Sequence, residues 1–119
     1  MQEIRAISKY VRVSPYKLRP YAEVIRGYCV DKAYSWLKTC SVKRVNPLIK
    51  TLVSAYSNGK NVQNDITSMS DLIIKEVRVD QGPIVKYFKP SAMGRASIQR
   101  KRLCHIKIIL DRKENKKIN

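Results

Sequence analysis

The sequence predicts an α+β fold: three helices packed on a small antiparallel sheet, with a long protruding β-hairpin. Three observations carry that prediction. Residues 72–79 and 104–110 alternate apolar and polar side chains, the period of half-buried strands. Upstream of them, three stretches repeat their apolar residues at helical spacing instead. Between the two strands, residues 81–103 keep no single apolar period and contain no acid. Helices beside a small antiparallel sheet make a two-layer α+β domain.

The elements follow in order. Residues 3–13 are rich in β-branched and aromatic side chains and read as a strand. Ser14-Pro15 looks like an N-cap followed by proline at the first helical position. Leu18, Tyr21, Ala22 and Ile25 then give a helical stripe, and Gly27 is a natural stop. Pro20 lies inside this helix, removes one donor and predicts a bend or a loose first turn. Asp31 can cap a short second helix carrying Ala33, Trp36 and Leu37. Ser41 can cap a third, striped by Val45, Leu48, Leu52 and Tyr56 and widened by Ile49 and Val53. Pro47 is awkward near its start, so the regular helix is expected from about Asn46, ending at Asn58-Gly59. A polar loop follows to Ser70. In the next strand Ile73, Val77 and Val79 face the core, opposite Glu76 and Arg78. In the last, Ile106, Ile108 and Leu110 lie opposite His105 and Lys107. Leu18, Ile25, Trp36, Leu52, Ile73, Val77, Ile106 and Ile108 are expected to share one core.

Length and charge bound the function. A chain of 119 residues suggests one domain spanning 1–119, and 44% hydrophobic residues suffice for a modest core. Lys and Arg number 25 against 9 acids, a net charge of +16. A compact domain so charged repels itself, so an external polyanion is expected to neutralise it. No segment approaches the roughly 20 apolar residues of a membrane helix. No apolar stretch at the start resembles a secretory signal. Cys29, Cys40 and Cys104 are odd in number and include no C-x-x-C pair, which argues against a disulfide framework. The single His105 excludes a multi-histidine metal site. Cys104 and His105 cannot act as a thiol and its base, because neighbours in a strand point to opposite faces. Neither cofactor nor catalytic residue is expected, and the nine acids are scattered.

The hairpin at about 81–103 has arms of roughly nine residues, about 30 Å at strand rise, turning near 91–94. A two-stranded ribbon that long buries no core and needs a surface to lie against. From Asp80 to Asp111 the cations Lys86, Lys89, Arg95, Arg100, Lys101, Arg102 and Lys107 occur with no acid between. Nucleic acid is the favoured partner. A plain surface loop, a disordered one or another anionic partner are the alternatives. A second acid-free interval, 32–64, adds Lys38, Lys43, Arg44, Lys50 and Lys60. Arg19 and Arg26 share a helix face with Glu23, as an ion-pair set or as RNA contacts. His105 is an RNA contact or a satisfied surface histidine. No helix-turn-helix or zinc signature favours DNA, and diffuse basic character suits RNA read by shape and phosphates. Residues 111–119 form a basic tail.

In this order, several motifs resemble the universal large-subunit ribosomal protein family called L twenty-two in bacteria and plastids. They are Ser14-Pro15-Tyr16-Lys17-Leu18-Arg19 with Ile25-Arg26-Gly27, Ser54-Ala55 with Asn58, and Val77-Arg78-Val79-Asp80-Gln81-Gly82-Pro83. Lys89-Pro90, Gly94-Arg95-Ala96 and Arg102-Leu103-Cys104-His105-Ile106 complete the set. The resemblance implies a structural, non-enzymatic component of the large subunit that binds its rRNA and supports assembly, with a hairpin lining the polypeptide exit tunnel. The implied partners are large-subunit rRNA, neighbouring ribosomal proteins and the nascent chain, with no membrane. The rRNA-binding residues it implies are Arg12, Lys17, Arg19, Arg26, Lys43, Arg44, Lys86, Lys89, Arg95, Arg100, Lys101, Arg102 and His105. The implied tunnel-lining tip is Pro90, Ser91, Ala92, Met93, Gly94 and Arg95. The family's tip is usually more basic where this chain has Ser91 and Met93. Tyr56 is bulkier than the small residue the family often has. Asn46-Pro47-Leu48-Ile49-Lys50, Tyr16-Lys17 and the abundance of Lys, Ile, Asn and Tyr point to a plastid stroma, with bacterial cytoplasm as the alternative.

Overall fold

Strand β1 (Ile4–Val11) leads into helix α1 (Pro15–Ile25), helix α2 (Val30–Thr39), helix α3 (Asn46–Val62), and strands β2 (Leu72–Pro90) and β3 (Ala96–Arg112). Single 3-10 turns at Lys43–Val45 and Met69–Asp71 precede α3 and β2. This computed structural model describes residues 4–62, 69–90 and 96–112. The sheet is antiparallel with order β1-β3-β2. β1 covers β3 only from Ile4↔Leu110 to Val11↔Cys104. The β2–β3 ladder continues alone to Pro90↔Ala96. Beyond the Val11↔Cys104 pair the sheet is therefore a two-stranded ribbon. The radius of gyration is 17.6 Å, against about 13.5 Å for a compact chain of this length. The bare ribbon accounts for the excess.

One apolar cluster holds the domain. Leu18, Ala22 and Ile25 of α1, Val30, Ala33 and Leu37 of α2, and Leu48, Leu52 and Ala55 of α3 meet Ile4, Ala6, Leu72, Ile74, Val77, Val79, Ile106, Ile108 and Leu110 of the sheet. Each fully buried Leu or Ile contributes about 1.5–3 kcal/mol by leaving water. The helical periodicity located Leu18, Ala22, Ile25, Ala33, Leu37, Leu48 and Leu52 correctly, and two core assignments change. Ile74, not Ile73, joins the cluster. A bulge between Ile74 and Glu76 inserts Lys75, so the strand's parity changes there. Ile73, although buried, falls outside the cluster and bridges Cys29. Trp36 is only half-buried, packed beside Tyr21 at 6.0 Å between ring centroids.

The helix ends also differ in part from expectation. Ser14 occupies the N-cap of α1 without a side-chain cap bond; its carbonyl accepts the Lys17 amide at 3.1 Å. Gly27 ends α1 as expected, with φ +87°, a conformation costly for any residue bearing a Cβ. The helix runs unbroken through the exposed Pro20. Asp31 lies within the first turn of α2, not at its cap, which is Cys29; the Asp31 carboxylate accepts the Lys32 amide at 2.8 Å. Ser41 caps nothing, because Val42 precedes a 3-10 turn before α3 begins at Asn46. Asn58-Gly59 does not end α3, which runs to Val62. Gly59 is a buried interior position where a Cβ would stand 3.1 Å from Ile4 Cγ2. The glycine lets α3 lie close on β1, a packing reason that a helix-stop reading misses.

Side chains and backbone groups occupy part of both sheet edges. Asn58 donates to the Arg5 carbonyl at 2.9 Å on the β1 edge. On the β2 edge, Gly27 donates to the Ile74 carbonyl and Tyr28 accepts the Ile74 amide. Arg26 and Arg19 donate to the next carbonyls along, Val77 at 2.8 Å and Val79 at 3.1 Å. An open edge invites pairing with another chain, and these donors occupy acceptors that such pairing would use.

Candidate nucleic-acid interface

The end of β1, the start of α1, the turn before α3 and the returning strand β3 converge where the hairpin leaves the domain. There Arg12, Val13, Ser14, Lys17, Arg44, Arg100, Lys101 and Arg102 line an open hollow of about 590 Å³. Six of the eight are cationic and none is acidic. They come from sites up to 90 positions apart in the chain, and all six are among the residues implicated by the sequence. Mutual repulsion at this density is tolerable only where solvent or a polyanion screens it. The N-terminus of α1 opens at Ser14 in the same place, and its dipole adds positive potential.

Tyr16 stands beside this hollow and was not identified as functional from the sequence. The residue is 56% exposed. The Arg19 guanidinium lies 5.4 Å from its centroid and that of Arg102 5.6 Å. The spacing of Tyr16 and Arg19 on one helix was legible as an i,i+3 pair. The approach of Arg102 from β3 was not.

Arg19 and Arg26 serve the fold first. Their bonds to Val79 and Val77 carbonyls pin α1 to the β2 edge. They share a second, mixed-charge hollow with Glu23, Arg78 and Asp80.

His105 also works internally. Its Nδ1 accepts the Tyr10 amide at 3.1 Å, and the two rings meet edge-to-face at 5.0 Å. The acceptor nitrogen carries no proton, which assigns the neutral ring's proton to Nε2. Tyr10 needs this support, since its φ of 58° is left-handed at the β1 bulge between Ser8 and Val11. A second bulge lies opposite, between Gln81 and Ile84 of β2. At Gly82 in that bulge, a Cβ would meet the Leu103 carbonyl oxygen at 3.1 Å and His105 Cε1 at 3.3 Å. Thus His105 ties two bulges together at the hairpin root.

The remaining sites are dispersed. Lys43 is exposed on the 3-10 turn, and Lys86 is exposed on the β2 arm opposite Arg100. Ile84 and Val85 are 42% and 45% exposed on the same arm. Apolar residues so placed show a ribbon with no core of its own. Lys89 pairs with Ser97 and Pro90 with Ala96 through the backbone. The tip residues Ser91, Ala92, Met93, Gly94 and Arg95 lie outside the described residues, as does the tail beyond Arg112. Cys104 is fully buried; burial pushes its thiol up from the ordinary value, while the Arg19 charge pulls it down more weakly. Among the described residues no helix is long and apolar enough to cross a membrane.

Residues 6–111 match the family described as Ribosomal protein L22p/L17e. The large ribosomal subunit protein uL22 of Desulfitobacterium hafniense strain Y51 is 41% identical over 115 residues, covering 96% of this chain and 98% of its own. The uL22 protein of Methylacidiphilum infernorum is 42% identical over 114 residues, 96% of this chain and 98% of its own. The uL22c protein of the alga Chlorokybus atmophyticus is 41% identical over 106 residues, 89% of this chain and 87% of its own. With the match spanning every element of the fold, the chain belongs to the L22p/L17e family of ribosomal proteins.

Proposed function

We propose that the chain is a structural, non-catalytic constituent of the large ribosomal subunit. Its hairpin-root hollow binds rRNA phosphates, and its arm runs between rRNA segments to the wall of the exit tunnel. The observation that carries this is the gathering of Arg12, Lys17, Arg44, Arg100, Lys101 and Arg102 with no acid, at the base of a ribbon that cannot stand alone. Family membership supplies the particle in which such a surface is neutralised. On this reading Lys43, Lys86, Lys89 and Arg95 extend the phosphate contacts along the chain. Arg19, Arg26 and His105 contribute chiefly by holding the root in shape. Pro90 and the tip residues Ser91, Ala92, Met93, Gly94 and Arg95 border the tunnel and the nascent chain.

The cellular source proposed is a plastid ribosome, on the chain's Lys-, Ile-, Asn- and Tyr-rich composition and one plastid-type relative among bacterial ones. A bacterial cytoplasmic ribosome is the alternative, favoured by similar identity to bacterial proteins.

The register supplies the test. Tyr87 pairs with Gln99 and Phe88 with Ile98. Removing these four residues together shortens the arm by two residue steps, about 7 Å, without changing side-chain parity or any groove cation. Ribosomes carrying the deletion should assemble at near-normal yield and respond differently to tunnel-binding drugs and stalling peptides. Normal responses with the protein correctly incorporated would remove the tip from the tunnel wall. Failure of the intact protein to enter large subunits would overturn the ribosomal reading itself.

A further inference from the structure

We infer that Tyr16 is a stacking platform for one unpaired nucleobase, so the hairpin root receives a bulged or single-stranded rRNA segment and not a continuous duplex. The inference rests on the rRNA reading of the neighbouring hollow and specifies what that surface recognises.

Tyr16 is exposed although the first turn of α1 packs against the core through Pro15 and Leu18, both buried. Its apolar ring is left in water at the rim of the six-cation hollow. The other tyrosines near cations are differently placed. Tyr34 and Tyr56 pack against the core, and each meets a single lysine of its own helix, Lys38 at 5.5 Å and Lys60 at 5.7 Å. A lysine ammonium is a point charge, whereas guanidinium is planar and stacks. Among the described residues Tyr16 is the tyrosine approached by two guanidiniums, from different elements. Arg19 is held by its Nε bond to the Val79 carbonyl, so one side of the cluster is fixed. Arg102 belongs to both the ring cluster and the hollow, linking a planar surface to the phosphate-binding one. Lys17 follows Tyr16 in the chain and lines the same hollow.

A planar platform beside a phosphate groove matches the two parts of a nucleotide. Within duplex RNA the base faces are already stacked, and only the backbone and groove edges are offered to a protein. An unpaired base can be splayed out onto an aromatic or guanidinium plane while its flanking phosphates enter the cationic groove. Stacking is sequence-tolerant, so the site selects an unpaired nucleotide without demanding one base identity.

The test uses the full-length protein and deproteinised large-subunit rRNA, titrated at several salt concentrations. Tyr16→Phe keeps the ring and should bind within about twofold of wild type. Tyr16→Leu removes the ring at an exposed position and should weaken binding about 5- to 100-fold. It should leave the slope of log affinity against log salt unchanged, because no phosphate contact is lost. Lys17→Ala should instead flatten that slope by about 0.7. Ultraviolet crosslinking should join Tyr16 to a nucleotide that is unpaired in the RNA. Wild-type binding with Tyr16→Leu equally tight, or a crosslink to a paired stem, overturns the stacking proposal alone. A wild-type protein that does not bind the rRNA overturns the functional reading as well.

Discussion

Arg26→Ala separates the two jobs that arginine does in this protein. Arg26 was implicated in rRNA binding, yet its Nη2 donates to the Val77 carbonyl at 2.8 Å. A hydrogen bond from a charged donor contributes about 1.5–3 kcal/mol when desolvated. Arg26 is exposed, so water can partly replace it, and the lower end applies: about 1.5 kcal/mol. Unfolding entropy near 2.1 cal/mol/K per residue gives about 250 cal/mol/K for this chain, so Tm should fall by about 6 °C. The comparison variant is Arg44→Ala, an exposed groove cation whose loss should move stability by less than about 0.5 kcal/mol. Binding to large-subunit rRNA across a salt series reads the other axis. Arg44→Ala should flatten the slope by about 0.7, and Arg26→Ala should leave it nearly unchanged. If Arg26→Ala keeps the wild-type Tm and flattens the slope as Arg44→Ala does, the edge-pinning role assigned to Arg26 is wrong.

Further outcomes are expected. Gly59→Ala should stay within about 1 kcal/mol of wild type in urea unfolding, its helix-propensity gain offset by contact with Ile4, whereas Gly59→Leu should cost about 3 kcal/mol. His105→Ala should cost about 1 kcal/mol by removing the acceptor of the left-handed Tyr10 amide, with new exchange broadening at Tyr10 and Gly82 in amide spectra. Maleimide should label Cys29 and Cys40 well before the buried Cys104. Because folding raises the Cys104 thiol, its contribution is intact below the ordinary thiol value near 9.0; it is lost as pH climbs from there through the folded value, and Cys104→Ala should lack that alkaline decline. In the RNA-free protein, amide exchange should be slow at Ile106, Ile108 and Ile109 and fast at Ile84, Val85 and Lys101, where the ribbon has no third strand.

The parts of the fold legible in the sequence were those set by periodicity. Ile106, Ile108 and Leu110 alternate along an uninterrupted stretch of β3, and Leu18, Ala22 and Ile25 repeat along α1; each fell where its period placed it. What failed involved a single inserted residue or a distant neighbour. Lys75 is an unremarkable residue in sequence, yet as a bulge it exchanges Ile73 for Ile74 in the core. Gly59 reads as a helix stop by composition, and only the approach of Ile4 shows why a glycine is needed inside α3. The basic surface was legible as a count of cations, because acid-free intervals survive any folding. Its division was not. Whether an arginine meets a carbonyl, as Arg19 and Arg26 do, or lines an open hollow, as Arg12 and Arg44 do, depends on which strand edge lies opposite.

The same division explains how so cationic a chain can fold before RNA arrives. The β2 edge offers its carbonyls as partial negative charges, and the α1 arginines take them, lowering repulsion where helix and sheet must touch. The six groove cations instead gather at the one place where the chain leaves its core, so their repulsion acts on the root of the hairpin. That root is braced from the other side. His105 holds the left-handed Tyr10, Gly82 admits the Leu103 carbonyl and the His105 ring, and β1 ends one residue later. Bracing a repulsive site keeps its charges together in advance, so on the proposed reading RNA binding need not gather them at the moment of association. The cost of assembling the site falls on folding, and the affinity of the complex gains accordingly. On the proposed reading, a ribbon braced at its base presents its arm to the rRNA from a preformed root.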